Sequence, residues 1–251
     1  MTEEVIKTEA QSEVEAFFSA DLNIEMFKES VAANVSAGVL TAFDLPRIKI
    51  PLGGVTQWLV QKLDGEVSES AIEGVIILAR DTRAYWQTDA DAPGATGNNP
   101  PDCSSTNALV GIGTPGGNCQ DEDPVKICPL AKFGSDPKGG GGQACKQVKQ
   151  LFFLRTGTMM PALISLPPTS LGPAKRYMVN LMANCVPYYT AVTRLTLRKE
   201  KSAGGKYYGV ADFKLVRRLS ATDVANVLQF QKMVARMVET LGVDTEVAKQ
   251  A

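Results

Sequence analysis

The order of elements that can be read across residues 151–219 constrains this chain more than any other feature. Leu151–Arg155 is a short aromatic run, with a turn signal at Thr156-Gly157 after it. Met160–Leu166 is a second apolar run, closed by Pro167-Pro168. Ser170 is placed as a helix N-cap with Pro173 near the first turn, and Tyr177, Met178, Leu181 and Met182 then recur at helical spacing. Tyr188–Arg198 and Tyr207–Arg218 alternate as two further strands around the polar loop Lys199–Lys206, which holds Gly204-Gly205. Upstream, Ile72–Trp86 (IEGVIILARDTRAYW) is a long β-branched run that ends in charged and aromatic residues.

Along the chain this gives strand, strand, strand, helix, strand, strand. That is the element order of an OB-fold, a five-stranded Greek-key barrel whose face and loops bind single strands or sugars. The expected class is therefore mainly β (α+β): a five-stranded OB-fold-like barrel over residues 41–219, carrying a long Cys/Gly/Pro-rich insertion at 87–149. A helical arm over residues 1–40 precedes it, and a C-terminal helix and tail over 220–251 follow.

In the arm, Val14, Phe17, Phe18, Leu22, Met26 and Phe27 recur at three- and four-residue steps between acids. Such a helix packs on the core; the alternative is an acidic cover for a basic groove or a contact with a neighbouring subunit. Ile48 and Ile50 alternate with Arg47 and Lys49, as in a short edge strand, and Trp58 is placed in the core. Ser220–Leu241 is the C-terminal helix, with Ser220 or Thr222 as cap and a stripe through Val224, Val227, Leu228, Val234, Met237, Val238 and Leu241.

The formal net charge of −1 hides a segregation. Residues 146–218 contain thirteen Lys or Arg against only Glu200 and Asp212, whereas residues 1–30 contain eight acids against two Lys. A basic block inside a near-neutral chain implies an anionic partner for that block. At 44% hydrophobic and 21% charged, the chain falls among globular rather than disordered proteins. It contains no histidine, which excludes His-based triads and His metal ligands.

Strand alternation sorts the residues that could meet such a partner. Tyr189, Ala191, Leu195, Leu197, Phe213 and Leu215 are assigned to the core side. Tyr188, Arg194, Arg198, Tyr208, Lys214 and Arg218 are assigned to the other side, where aromatic rings and cations mix. That mixture suits a single strand, because bases stack on any aromatic face while cations meet phosphates. Lys199, Lys201 and Lys206 would close over the strand as a basic finger. Arg80, Arg83, Tyr85 and Trp86, at the end of the early strand, would extend the same surface.

Four of the five cysteines, Cys103, Cys119, Cys128 and Cys145, lie in the insertion, separated by fifteen, eight and sixteen residues. Four thiolates can hold a tetrahedral zinc and close such loops, although none of these spacings is a C-x-x-C knuckle. The alternative is a set of unrelated buried thiols. Cys185, after the predicted helix, is placed in the core. No enzymatic signature emerges. Residues 138–142 are Gly-rich without the spacing of a phosphate loop, and Asp121, Glu122 and Asp123 read as a solvated acidic loop.

The motifs AKFGS (Ala131–Ser135), GQACK (Gly142–Lys146), QLFFLRTG (Gln150–Gly157) and LPPTSL (Leu166–Leu171), with the strand pair YYTAVTRLTL and KYYGVADFKLV, resemble the single-stranded DNA-binding proteins of bacteriophage and mobile-element replication modules. The resemblance covers roughly residues 72–219. It implies an OB-fold that coats single-stranded DNA without base specificity, in replication or recombination, alongside other proteins of those processes. Lys249-Gln250-Ala251 does not match the acidic, Phe-terminated tail of the bacterial proteins of this class, so tail-mediated recruitment is not carried over.

The expected function is thus non-enzymatic, sequence-independent single-stranded DNA binding and protection. The alternatives are a structural or virion-assembly protein whose basic block meets an acidic partner, and a metal-dependent nucleic-acid enzyme. The acidic, polar start and the lack of a bilayer-length apolar run point to the cytoplasm of a bacterial or phage-infected cell, with no membrane partner. Self-association into a homo-oligomer is left open.

Overall fold

In the computed structural model, residues 17–18, 24–35, 40, 44–87, 100–137, 139, 141–202, 204–239 and 242 are described. In chain order the elements are α1 (Ile24–Asn34), β1 (Arg47–Ile48), a 3-10 turn at Leu52–Gly54, β2 (Trp58–Lys62), β3 (Gly65–Glu69) and β4 (Ala71–Tyr85). Three short strands follow, β5 (Cys103–Ser105), β6 (Val110–Gly113) and β7 (Gly117–Asn118). The chain then forms β8 (Lys146–Arg155), β9 (Ala162–Leu166), α2 (Pro168–Ala183), β10 (Ala191–Lys201), β11 (Tyr207–Arg218) and α3 (Ala221–Val238). The architecture is mixed and dominated by strands: one nine-stranded sheet, a separate β2–β3 hairpin and a few helices. Val14, Leu22 and Leu241, and most of the acidic arm, lie outside the described residues.

β4 is the spine. It pairs with β8 from Gly74 to Ala84, with β10 from Ala71 to Val75, and with β5 from Arg83 to Tyr85. Its β-branched run supplies both faces of the sheet. Ile72 and Ile76 join one core, which contains Trp58, Leu151, Phe153, Ile164 and Leu195 and is covered by α2 through Tyr177 and Leu181. Val75 and Ile77 join a second core with Phe152, Leu154 and Val192, covered by α3 and by Phe17 and Phe18. A strand buried on both faces cannot alternate apolar with polar. This is why Leu151–Leu154 reads as a continuous apolar run, and why Ala162–Leu166 is interrupted only by the buried Ser165.

Two irregularities bend this sheet. Ile77 is the extra residue where the β4–β8 register shifts, and its carbonyl accepts from Gln231 Nε2 of α3 at 2.8 Å. Gly74 lies so close to β8 that a Cβ there would stand 2.2 Å from the Leu154 carbonyl oxygen. Any side chain would force the two strands apart.

Several local expectations change. β10 begins at Ala191, because Pro187 opens a 3-10 turn over Tyr188–Thr190. Lys199 and Lys201 are strand residues, which shortens the connection to the turn after Lys201. Ser170 is not the α2 cap. The helix starts at Pro168, and Ser170 Oγ in its buried first turn accepts the Ala211 N–H of β11 at 3.0 Å. Cys185 is exposed, with φ of 52° just past α2, and Val186 takes the core position instead. Ser220 caps α3, accepting from the Asp223 N–H. Phe230, which the stripe read from the sequence left out, is fully buried and stacks on Phe18 at 6.0 Å.

Among the described residues no strand pairing joins β9 to β11. β9 pairs instead with β1, in parallel. Beyond β1 the chain crosses to β11, where a Cβ on Gly209 would touch Ile50 Cγ2 at 3.0 Å. The segment predicted as an edge strand thus lies between β9 and β11, and Ser170 of α2 satisfies part of the β11 edge. No described helix is long and apolar enough to cross a membrane.

Candidate nucleic-acid interface

The β10–β11 hairpin is built from strands of eleven and twelve residues, longer than the core beneath them requires. Past Leu197 β10 leaves the core, whereas β11 stays buried through Gly209 and Val210 and is exposed at Tyr207, so the tip of the hairpin overhangs. The overhang is firmly closed. Gly205 N–H donates to the Ser202 carbonyl at 2.9 Å, Ser202 N–H donates to the Lys206 carbonyl at 2.8 Å, and Ser202 Oγ accepts from Lys206 N–H at 3.1 Å. Gly205 supplies the positive φ of 81° that this turn needs.

Residues directly opposite on paired strands share a face. Lys201 faces Tyr207 and Lys199 faces Gly209, so these side chains continue the inward face beyond the end of the core. There Lys199 Nζ lies 4.1 Å and Lys201 Nζ 5.7 Å from the centre of the Tyr207 ring. The ring is about half exposed, and its root packs on Gly54 of the 3-10 turn. Tyr207 was assigned to neither surface by alternation. Its parity is that of core residues, and only the overhang exposes it. The readable signal was strand length: β10 runs four residues past Leu197, its last buried residue.

The opposite face is an ion-pair network. Arg198 donates to Glu200 at 2.9 Å and to Asp212 at 2.6 Å, and the Tyr208 hydroxyl donates to Glu200 at 3.1 Å. The hydrogen bond from Arg198 and then that from Tyr208 hold the Glu200 carboxyl below its ordinary range. The same carboxylate holds the Tyr208 phenol above its own. Glu200 and Asp212, the only acids of the basic block, are thus both spent on Arg198. Arg194 is paired too, with Glu73 of β4 at 2.5 Å. Lys214, opposite Arg194, and Arg218 at the strand end are exposed.

The residues assigned to the end of β4 behave differently. Arg83 is only 4% exposed and donates to the Cys145 carbonyl at 3.1 Å and to Gln147 Oε1 at 3.1 Å. Arg80 donates to Gln150 at 2.6 Å and to the carbonyls of Val238 and Gly242 at 3.1 and 2.9 Å, so it ties down the C-terminal end of α3. Burial pulls the Arg80 guanidinium down to about 10, still charged at neutral pH. Both guanidiniums therefore serve the fold, which corrects their assignment to the ligand surface. Trp86 packs on Ala84 and Val148, and Tyr85 is half-buried. Tyr188, in its 3-10 turn, packs against the inner core with its hydroxyl bound to the Ala79 backbone, and burial raises its phenol. It too is structural rather than part of a strand face.

Of the predicted surface, Lys199, Lys201, Lys206, Lys214 and Arg218 remain exposed, and among the described residues none has an ion-pair partner. Tyr207 joins them. On α2, Lys175 and Arg176 are exposed cations that the sequence reading did not single out.

The four cysteines of the insertion are brought together. Cys103 opens β5 opposite Tyr85, and Cys145 directly precedes β8 on the other side of β4. Cys119 follows β7, with its N–H on the Leu109 carbonyl, and the Cys128 N–H donates to the Asn118 carbonyl at 2.8 Å. A Cβ on Gly111 would stand 2.9 Å from Cys103 Sγ and 3.5 Å from Cys119 Sγ. Burial pushes the Cys145 thiol up to about 12 and raises that of Cys119, while Arg83 opposes both shifts. Among the described residues no three Cys, Asp or Glu side chains already stand in a metal-holding arrangement. Comparison with protein-family models, curated proteins and solved structures returns no match.

Proposed function

We propose that this chain binds single-stranded DNA without base specificity, holding it by stacking and phosphate contact and protecting it during replication or recombination, with no chemical step. In this reading β4, β8, β9, α2, β10 and β11 are the elements of an OB-fold-like barrel. Support for the barrel comes from β4 pairing with both β8 and β10, β8 with β9, and β10 with β11. The observation that carries the function is the hairpin overhang. A half-exposed Tyr207 lies under two lysines, with Lys206 beside it, and among the described residues no carboxylate pairs with them. A base can stack on the open ring while the ammonium groups meet the flanking phosphates.

Fluorescence titration of the protein with dT and dC homopolymers at two salt concentrations tests the reading. Both should bind, with affinity falling steeply as salt rises. Binding that prefers duplex, or that ignores salt, would overturn it. Failure to bind any nucleic acid would turn attention to an acidic protein partner for the basic block.

A further inference from the structure

Arg83 poses a problem that the DNA-binding reading does not address. Its guanidinium is withdrawn from water, and its hydrogen bonds run to a carbonyl and to neutral amides of Gln147 and Gln143. Among the described residues no carboxylate pairs with it, and its Nε is buried without any partner. A buried cation that lacks a counter-charge is costly. The groups gathered round it are thiols. Arg83 faces Ser105 on β5 and Gln147 on β8, and alternation puts Tyr85, Cys103 and Cys145 on the same face two residues on. β7, which precedes Cys119, reaches this end of β4 through β6 and β5, and the Cys128 N–H donates to the Asn118 carbonyl beside Cys119.

Gly111 makes the second point. Its backbone lies in an ordinary region, so no turn demands glycine there. What requires it is space. A Cβ would press on Cys103 Sγ and reach Cys119 Sγ, so the two sulfurs flank one point that any other residue would fill.

We propose that Cys103, Cys119, Cys128 and Cys145 form a structural zinc centre, and that Arg83 is its built-in counter-cation. The four thiols release four protons to solvent as one Zn²⁺ enters, with no change of oxidation state. The resulting cluster carries two negative charges, one of which Arg83 offsets, and the orphaned Nε–H gains a thiolate acceptor. Among the described residues no three of these side chains already stand in a metal-holding arrangement, so zinc entry would require the thiols to turn toward one point, while backbone hydrogen bonds fix Cys119, Cys128 and Cys145 to neighbouring segments. The centre fastens residues 103–145, which have little apolar core of their own, to the end of β4. It stands independently of DNA binding.

The full chain, purified under reducing conditions, should carry about one zinc. After removal of that metal, Co²⁺ should give the intense visible bands of a tetrahedral thiolate site. Cys119→Ser and Cys128→Ser should each lose the metal. Arg83→Gln should lower zinc retention against a chelator by roughly 10- to 100-fold, as outer-shell partners do, with Arg83→Lys recovering part of it. Gly111→Val provides a second test independent of any unfolding of the insertion by Arg83→Gln, with the metal lost while the β4–β8 pairing persists. A reduced, metal-free chain that has four titratable thiols in the insertion and takes up no Co²⁺ would overturn the proposal. So would a disulfide between any two of the four, seen as a two-proton mass loss.

Discussion

At the C-terminal half of β4, the Arg83 guanidinium is 4% exposed and donates to a main-chain carbonyl and two glutamines. At the tip of the β10–β11 hairpin, Lys199 and Lys201 reach over a tyrosine ring into solvent. Both regions combine cations with aromatic residues, and both end a strand. They differ in what surrounds the charge. β4 has strands on both sides and a second core over one face, so its cations must find acceptors inside the protein. The hairpin overhangs the core and leaves its lysines to solvent. In the proposed reading, a basic, aromatic strand end is a ligand surface only where the strand outruns its core.

The largest effect that would sharpen this contrast is on stability. Arg83→Met should cost about 3 kcal/mol, because it strands buried acceptors that a charged donor now satisfies. Urea denaturation measures it, and affinity of the folded fraction for single strands should not change. Retained stability with lost binding would show that Arg83 does meet the ligand and that the contrast is false.

Next come the two adjacent tyrosines. Tyr207→Ala should weaken single-strand binding by about 1–3 kcal/mol without lowering the melting temperature appreciably. Tyr208→Phe should leave binding almost unchanged, since it removes only the hydroxyl that donates to Glu200. The reverse result would place the strand path on the outer face of the hairpin. Changing Lys199, Lys201 and Lys206 together to Ala should then lower the salt slope by about two units, with stability moving by no more than about 0.5 kcal/mol. A loss of stability without a change in slope would make the overhang a packing element.

These predictions also mark what the sequence could express. Element order was legible because the β-branched run of β4, the apolar runs of β8 and β9 and the helical spacing of α2 each carry their own period. The α3 cap at Ser220 was legible for a similar local reason. The tertiary use of a polar group was not. Ser170 resembles a cap, yet its hydroxyl satisfies a distant strand edge. Arg80 resembles a ligand contact, yet it binds the end of α3, which lies far along the chain. Tyr188 was displaced from its strand by the 3-10 turn that Pro187 opens, and Tyr207 was hidden by a parity rule that fails past the last core pair. The insertion has neither period, and only its cysteines hinted that it folds back on itself.

The smallest effect concerns the outer face, where the contrast is least complete. Glu200 holds Arg198 and Tyr208 at once, so a cation and a ring on the outer face are turned toward a carboxylate rather than toward solvent. Arg198 and then Tyr208 hold that carboxyl below its ordinary range. A group with a depressed folded value adds stability above its ordinary range and loses it as pH falls through the depressed value. Because Glu200 is a solvent-screened surface group, it contributes little to the fold either way, so Glu200→Gln should barely change the melting temperature at neutral pH and should flatten its decline in acid. Its effect on binding has the opposite sign to those of Tyr207→Ala and the triple lysine change. Freed from Glu200, Arg198 retains only Asp212, and one more phosphate contact would raise the salt slope by about 0.7. Tighter binding by Glu200→Gln at low salt, vanishing at high salt, would show that the outer face is a second ligand surface held in reserve. An unchanged slope would leave the lysines and Tyr207 of the inner face as the hairpin's whole contribution.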